Sequence, residues 1–442
     1  MTLPLHAVLP ASIDDPAAPS GGNRYDREVL RHLRTRSPGL PPQEVSGGPS
    51  SGNPAEVRPL LPAARKRQEP APEHGDGTVP TPEDGVLPRS TPAVAARTSA
   101  VPPATVALPA FEVREHLVEG AWPRPSEADR RALAGLLCGL PDGSLTLLDG
   151  LIACGVPDLL APHATRLRLA VLVHLPLGDE TGLTDEDAAE LRALESRTLR
   201  LAAAVIATSV PAARRVEQLH GLTGVHAIAP GVARAPLAEP SRTGHRLLNV
   251  ASLTPRKGQD LLLTALQQLP ELSWTCTVAG AGRVPTLGVA PPVALTLDMA
   301  GPPAPTWVTR AIAGSGEHTV RFVGALNGTE LDAAYAEADL FVLPSRAETY
   351  GMVVTEALAR GLPVVAADVG GVPEALGLAP GGGIPGRLIP PDDRDALAGA
   401  LRDWLTDGEL RDRWRAHARA RRDTLTGWDE TARRLARVLT GL

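Results

Sequence analysis

The chain contains 442 residues, a length that suggests two or three domains. Its hydrophobic content of 43% is sufficient for sizeable cores. The formal net charge of −6 argues against general nucleic-acid binding, because such binding depends on lysine and arginine to neutralise phosphates. An aromatic content of 3% also argues against a stacking platform for single strands. We therefore expect no nucleic-acid partner.

The three cysteines, Cys138, Cys154 and Cys276, are widely spaced and form no C-x-x-C pair. This pattern excludes a disulfide scaffold and a cysteine-based zinc site, and it is typical of a reducing compartment. The N-terminus lacks the basic segment of a secretory signal, and no apolar run reaches the length of about 18 residues that a membrane span needs. We therefore expect a cytoplasmic location.

The chain begins with a strand, a glycine loop and a helix. A short apolar run predicts a strand over 5–9, and a polar loop follows over 11–23 with the sequence Ser20-Gly21-Gly22-Asn23 near its end. From about Tyr25, apolar residues recur at helical spacing. Glycines in such a loop allow backbone amides to approach a ligand closely.

The next stretch, 37–109, differs in composition from the rest of the chain. It contains 16 prolines and no Phe, Trp, Tyr or Cys. Proline at this density blocks helices and sheet ladders, and the segment has no large side chains to bury. We interpret it as a disordered insertion, either tolerated without function or used as a proline-rich docking segment.

Strands and helices alternate through the rest of the first part. Strands are predicted over 144–148, 167–175, 205–208 and 226–228, and helices over 127–137, 185–204 and 210–219. The run at 167–175 is continuously apolar, as in a buried parallel strand. This alternation predicts a doubly wound α/β domain.

A second α/β pattern follows a linker rich in Pro, Gly and Ala over 230–243. Strands are predicted over 247–251, 274–279, 320–323, 340–343 and 363–366, and helices over 258–268, 328–337, 355–360 and from 395 onward. We predict a first domain over 1–236, a second over 243–424, and a last helix over 425–442 that packs back on the first. Ligands of such domains bind beyond the carboxyl ends of the strands, so two facing domains would form a cleft between them.

The segment FVLPSRAETYGMVVTE over 341–356 carries the strongest chemical signal. A buried strand leads into a loop with Glu348, and Gly351, Met352 and Val353 then open a helix that carries Glu356. Free N–H groups and the helix dipole at such an N-terminus favour a phosphate. Glu356 could accept two ribose hydroxyls. The alternatives are a solvated loop acid for Glu348 and a helix-surface acid for Glu356.

With this segment, the chain resembles the retaining glycosyltransferases of family 4 (glycosyl transferases group 1), which have the GT-B fold of two Rossmann-like domains facing a cleft. Other segments resemble the family in the same order along the whole chain apart from the insertion. They are Ser20-Gly21-Gly22, LVHLPL around His174, Ala207-Thr208-Ser209, Pro230-Gly231-Val232, Arg256-Lys257-Gly258, VAGAG over 278–282, RFVGAL over 321–326 and ARGLPVVAADVGGVPE over 359–374.

The resemblance implies transfer of a sugar from a nucleotide-diphosphate sugar with retention of anomeric configuration. It assigns Glu356 to the ribose hydroxyls and Glu348 to the sugar or pyrophosphate end of the donor. Arg256 and Lys257 would neutralise the diphosphate, because the departing group develops negative charge that fixed cations stabilise. Family members often carry an arginine five or six residues before the lysine; this chain has Ser252 and Ala251 there.

Further site residues follow from the same resemblance. Gly21 and Gly22 would approach the donor through backbone amides, and His174 would contact the donor sugar near the anomeric centre. The backbone of Phe322, Val323 and Gly324 would lie along the base, and Gly351, Met352 and Val353 would face the phosphate. We assign catalytic roles to His174, Glu348 and Lys257, and we expect no cofactor and no metal ion at the site.

The family pattern implies a front-face mechanism in which the leaving phosphate helps to deprotonate the acceptor. No second carboxylate is placed on the opposite face of the sugar, so a covalent intermediate is not expected. The acceptor, whether small molecule, lipid or polysaccharide, and the base, whether uracil, guanine or adenine, stay open. Asp149-Gly150 is either a turn or an acceptor contact.

Two alternative functions fit parts of the sequence less well. A catalytically idle sugar-nucleotide-binding regulator or scaffold is disfavoured by the intact Glu348, Glu356, Lys257 and His174. A dinucleotide-binding oxidoreductase needs G-x-G-x-x-G after a first strand, which this chain lacks. The arginine-rich 411–437 region is interpreted as a solvated helix packing on the first domain, or as a surface for peripheral contact with anionic lipid.

Overall fold

The structure is a computed structural model that describes residues 2–15, 20–34, 110–282, 294–299, 310–311 and 318–442. The insertion expected over 37–109 lies outside these residues. Among the described helices, none combines the length and the apolar character that crossing a bilayer requires.

The first sheet has six parallel strands in the order β2-β1-β3-β4-β5-β6. Its strands are β1 Thr2–Pro10, β2 Ala110–Val118, β3 Leu145–Asp149, β4 Arg168–Val173, β5 Ala204–Ala207 and β6 His226–Ala227. The helices connected to it are α1 Gly21–Arg34, α2 Glu127–Gly139, α3 Gly150–Ala153, α4 Pro157–Leu160, α5 Asp185–Leu199 and α6 Val210–His220. Buried side chains on both faces of β3, β4 and β5 explain why these strands read as apolar runs.

The second sheet has eight strands in the order β10-β9-β11-β8-β7-β12-β13-β14, parallel except for the β9–β10 pair. The strands are β7 Arg246–Val250, β8 Trp274–Ala279, β9 Ala294–Met299, β10 Arg310–Ala311, β11 His318–Phe322, β12 Leu340–Leu343, β13 Val364–Ala367 and β14 Gly386–Ile389. The helices that follow β7 in the chain are α7 Gln259–Leu266, α8 Gly328–Glu337, α9 Met352–Ala359, α10 Val372–Leu376, α11 Arg394–Thr406, α12 Gly408–Arg422 and α13 Trp428–Thr440. The two α/β patterns read from the sequence are both confirmed.

The last two helices pack on different sheets. Leu410, Trp414 and Ala418 of α12 are buried with residues of the second sheet and its helices. Trp428 of α13 is buried with the first sheet and α1, and its ring meets the Tyr25 ring edge-on at 5.8 Å. The end of the chain is therefore part of the core around β1.

Several elements differ from their predicted extents. The helix predicted over 185–204 ends at Leu199, because Ala204 begins β5. The helix predicted from 395 onward is three helices, and one break falls at Asp407, whose carboxylate accepts from Leu410 N at 2.9 Å and starts α12.

Strand β2 was not predicted, nor were β14 and α10. Strand β2 lies at the edge of the sheet with alternating exposed residues, so its sequence lacks the apolar run that marks a central strand.

We expect Trp428→Ala to lower the free energy of unfolding by about 3–5 kcal/mol, because it leaves a cavity between α13 and the first sheet. Trp428 is 3% exposed. Urea denaturation followed by circular dichroism measures the change. The control is Leu378→Ala, at a position 58% exposed, where we expect a change within about 0.5 kcal/mol. A loss below about 1 kcal/mol for Trp428→Ala would show that α13 is not part of the core.

Candidate functional site

The candidate site lies where the carboxyl ends of the two sheets meet. The loop after β1 leads to α1, and the loop after β12 leads to α9. A Cβ placed on Gly21 would lie 3.7 Å from Met352 Sδ, so the first turns of the two helices are in contact range. We call this meeting of α1 and α9 the junction. Its position agrees with the general rule that α/β sheets bind ligands beyond the carboxyl ends of their strands.

Glu356 is the buried carboxylate of the junction. It is 5% exposed and accepts hydrogen bonds from Arg24 Nη1 and from the Tyr335 hydroxyl, the latter at 3.0 Å. Burial, together with the adjacent Glu356 charge, raises the pKa of Tyr335 well above its ordinary value, so this hydroxyl stays protonated and donates. The alternative of a helix-surface acid is therefore wrong for Glu356.

Glu348 forms a second charge pair in the loop before α9. Its Oε1 accepts from Lys257 Nζ at 2.5 Å and from Ser345 Oγ at 2.9 Å. The Glu348 side chain is only 8% exposed, so the alternative of a solvated loop acid is also wrong. The backbone of this loop rests on Gly370, where a Cβ would lie 1.7 Å from the Glu348 carbonyl oxygen. Only glycine allows this approach, and its φ of +48° suits the same residue.

The N-terminus of α9 has the features predicted for it. Gly351 precedes the helix with a φ of +90° and supplies no side-chain cap to the first turn. The amides of Met352 and Val353 are therefore without an intrahelical acceptor, as at any helix start. Such amides, together with the dipole, favour an anion.

Arg256 lies beside the loop but is not part of the Lys257–Glu348 pair. Its Nη1 donates to the Ala347 carbonyl at 3.4 Å, and its Nε is 3.8 Å from a carboxylate oxygen of Glu180. Glu180 lies just before α5 of the first sheet, so Arg256 connects the two parts of the fold. The predicted diphosphate contacts of Arg256 and Lys257 stay predictions.

His174 follows directly after β4 and contacts α1. Its Nε2 is 3.1 Å from Asp26 Oδ1, and its ring meets the Tyr25 ring edge-on at 5.5 Å. Burial opposes the charged form of His174, but the Asp26 carboxylate and the nearby Asp149 raise its pKa to about 9. The two carboxylates thus favour the charged form of the imidazole, against the effect of burial.

The glycine pair of the first part is helical, which corrects the prediction of a loop through residue 23 and a helix from Tyr25. Helix α1 begins at Gly21, because Ser20 Oγ accepts from Asn23 N at 3.0 Å and caps the first turn. A Cβ on Gly22 would lie 3.1 Å from the His174 ring. The close approach of His174 to α1 therefore favours glycine at position 22.

The predicted base-binding residues lie at the carboxyl end of β11. The Phe322 side chain is buried in the core of the second sheet, so Phe322 can face a base only through its backbone. Two of its backbone groups are already paired, since Val323 N donates to the Val278 carbonyl and the Gly324 carbonyl accepts from Gly280 N. Base contact by this segment stays a prediction.

Arg24, Asp26 and Tyr335 were not predicted from the sequence. Arg24 and Asp26 lie in the first turns of α1, and their partners are 332 and 148 residues away along the chain. Asp26 had one available signal, because it is a charged residue among the apolar positions Tyr25 and Val29 of the buried helix face.

Asp26, Asp149 and His174 each place a potential ligand atom within 4.8 Å of the other two, and no other such group of His, Cys, Asp and Glu occurs among the described residues. Burial and the adjacent Asp26 charge raise the pKa of Asp149 to about 7. The expectation of a metal-free site stays a prediction.

Comparison with known proteins places this site in a family. The model of the family "Glycosyl transferases group 1" matches residues 239–421, which include Lys257, Glu348 and Glu356. A D-inositol 3-phosphate glycosyltransferase of Thermobispora bispora is 30% identical over 375 residues, covering 77% of this chain and 82% of that protein. The chain belongs to the group 1 glycosyltransferases. Membership of this family supports glycosyl transfer.

Some relatives match over a smaller part of their length. A sulfoquinovosyl transferase of Arabidopsis thaliana is 46% identical over 91 residues, which are 21% of this chain and 18% of that protein. A D-inositol 3-phosphate glycosyltransferase of Jonesia denitrificans is 31% identical over 278 residues, 57% of this chain and 60% of that protein. The chain therefore spans less than two thirds of the length of each of these two relatives.

Solved structures confirm the predicted GT-B architecture. The chain superposes on sucrose-phosphate synthase from Thermosynechococcus elongatus with a TM-score of 0.59 and 18% identity, covering 99% of this chain and 98% of that one. It also resembles a protein of Anabaena, HepE, in complex with UDP and glucose, with a TM-score of 0.52, 18% identity and coverage of 75% and 87%. At these identities the likeness concerns the fold.

We expect Arg24→Met to tighten the binding of a nucleoside about two- to fivefold, because an arginine with an exposed side chain now holds the carboxylate that the resemblance assigns to ribose. Arg24 is 42% exposed at its side chain. Calorimetric titration with uridine, guanosine and adenosine measures the change. Arg34→Met is the control, since Arg34 lies on the same helix and pairs with the distant Glu115. Weaker nucleoside binding by Arg24→Met would contradict competition between Arg24 and ribose.

Proposed function

We propose that this protein is a retaining glycosyltransferase that transfers a sugar from a nucleotide-diphosphate sugar to a hydroxyl acceptor without a covalent intermediate. One observation carries the proposal: Lys257, Glu348 and Glu356 lie in and around the segment that opens α9 with an uncapped N-terminus, and His174 contacts α1, whose first turn meets that of α9. A structural role alone does not explain why buried charges collect beside an open helix start.

The described contacts suit a nucleoside diphosphate. The amides of Met352 and Val353 suit a phosphate, and Glu356 has the acceptor oxygens that two ribose hydroxyls require. Lys257 stands one ion-pair distance from Glu348 and can pass from that carboxylate to the diphosphate. A cation fixed beside the leaving group lowers the barrier because negative charge grows there as the bond to the sugar breaks.

The proposed chemistry is a front-face displacement. The bond from the anomeric carbon to the diphosphate oxygen breaks, the acceptor oxygen bonds to the same face, and the acceptor proton passes to the leaving phosphate. The carboxylates beside His174 are Asp26 and Asp149, which are 2% and 5% exposed. Their burial supports a mechanism in which neither attacks the sugar.

Two relatives named above act, by their names, on D-inositol 3-phosphate. We propose a phosphorylated polyol as the first acceptor class to examine, with lipid and polysaccharide acceptors as the alternatives. For the donor, UDP is the nucleotide in the HepE complex, and GDP and ADP are tested beside it.

We expect one of UDP, GDP and ADP to bind in calorimetric titration, and Glu356→Gln to weaken that binding about tenfold or more, because ribose hydroxyls bonded to a charged acceptor contribute about 1.5–3 kcal/mol. Glu330→Gln, which changes an exposed acid at the start of α8, is the matched control and should bind as the wild type does. Equal affinity of Glu356→Gln and wild type would remove Glu356 from the donor site. No binding of any of the three nucleotides would contradict the proposed donor site.

We expect the product to keep the anomeric configuration of the donor. The reason is that the bond to the diphosphate breaks and the bond to the acceptor forms on the same face of the sugar. Proton NMR of the early product, with the donor identified by calorimetry, gives the anomeric coupling directly. Mass spectrometry of the enzyme quenched during turnover should show no added sugar. An inverted product, or a sugar attached to Asp26 or Asp149, would overturn the mechanism.

A further inference from the structure

Three polar side chains from separate parts of the first half meet beneath the junction. His174 follows β4, Asp149 ends β3, and Asp26 projects from α1, which follows β1. Since β1, β3 and β4 are neighbours in the sheet, their carboxyl ends bring these groups together. Asp26 and Asp149 are almost completely buried, whereas the His174 side chain is 18% exposed. The histidine is therefore the most exposed member of the group.

The contacts of Asp26 fix one nitrogen of the imidazole. Nε2 of His174 lies 3.1 Å from Asp26 Oδ1, so the ring carries its Nε2 proton toward the carboxylate. Tyr25 and the backbone at Gly22 bound the ring on the α1 side. The other ring nitrogen, Nδ1, has no protein partner among the described residues. A proton on Nδ1 makes it a free donor.

The second oxygen of Asp26 is unusual. Oδ2 is buried and has no hydrogen-bond partner in the described part of the chain. Asp149 accepts from Leu151 N at 2.7 Å with Oδ1, which leaves its second oxygen for another bond. A proton on Asp149 would supply the donor that Asp26 Oδ2 lacks. It would also cancel one of two buried negative charges beside a single imidazolium.

We propose that Asp26 and Asp149 are positioning residues that share a proton and hold His174 as an imidazolium, with Nε2–H on Asp26 and Nδ1–H left to donate to an oxygen of the bound sugar nucleotide. This inference rests on the proposed function for its catalytic consequence only. The proton arrangement itself belongs to the ligand-free protein. The transfer reaction then depends on a charged His174, and activity is lost when that proton leaves at high pH.

Three groups interact directly with His174: Tyr25 and Asp26 of α1, and Asp149 at the end of β3. The buried Cys154 thiol interacts in turn with Asp149. The pKa of His174 is raised to about 9 and that of Asp149 to about 7, in agreement with an imidazolium beside a carboxyl pair that shares a proton. Burial also raises the pKa of Cys154 and Tyr25, so both stay neutral in this range.

The first test follows the His174 ring by NMR in the full-length, histidine-labelled protein without ligand, with His174→Gln identifying its signal. We expect a charged ring at pH 7.5 that titrates at least one pH unit above an ordinary histidine. Asp26→Asn should move this titration down by at least one pH unit, because it removes the negative partner. Asp14→Asn, an exposed carboxylate paired with Arg27, should leave it unchanged. An ordinary titration in the wild type would overturn the inference, whether or not Asp26→Asn folds.

The second test measures transfer against pH. We expect Asp26→Asn to lower kcat by about 10- to 100-fold, to move the alkaline limb of kcat to lower pH, and to leave the donor KM within about twofold. A loss of activity without movement of the limb would mean a merely structural role and would contradict the proposal. If the NMR result holds but no donor is turned over, the proposed function fails while the proton arrangement stands.

Asp26, Asp149 and His174 could also bind a metal ion, and titration with Zn²⁺ and with Mn²⁺ tests this alternative. We expect no binding that depends on Asp26 and His174. Tight binding of one ion, lost in both Asp26→Asn and His174→Gln, would replace the shared proton by a metal and overturn the inference.

Discussion

The ion pair between Arg24 and Glu356 is the contact on which the arrangement of the site depends. Glu356 lies on α9, below a helix start that favours anions, and it is almost completely buried. A buried carboxylate is tolerated only with partners, and here they are Arg24 from the first sheet's helix and Tyr335 from the second. The negative charge of Glu356 on α9 is thereby balanced by Arg24 on α1. Because the Arg24 side chain is partly exposed to solvent, water can compensate its charge when a ligand hydroxyl takes its place.

Lys257 and Glu348 form a second ion pair whose partners a ligand could replace. Without ligand, each neutralises the other at 2.5 Å, and Ser345 completes the acceptor's contacts. A diphosphate would compete with Glu348 for Lys257, and a sugar would compete with Lys257 for Glu348. In the proposed function, donor binding would be an exchange of partners among charges that are already in place, with little reorganisation.

Much of the fold could be read from the sequence, because it depends on local pattern. The apolar runs of β3, β4 and β12 are buried on both faces, and the Gly351 start of α9 depends on residues close in the chain. The polar edge strand β2 was not recognised, since its exposed face breaks the apolar run. The glycine pair was placed in a loop because glycine usually ends or avoids helices, but Ser20 caps a helix that begins with it.

In the candidate site, too, residues marked by a local pattern could be predicted and residues defined by remote contacts could not. Glu348, Glu356 and Lys257 could be named from spacing and resemblance, since each lies in the segment that follows a recognisable strand, β7 or β12. Arg24, Asp26 and Tyr335 could not, because their importance lies in contacts with residues remote in sequence. Asp26 shows the difference well. Its carboxylate on an apolar helix face departs from the amphipathic pattern, and only the contact with His174 explains it. A buried charge that a local pattern cannot explain therefore indicates a partner elsewhere in the chain, and in this protein that partner faces the junction.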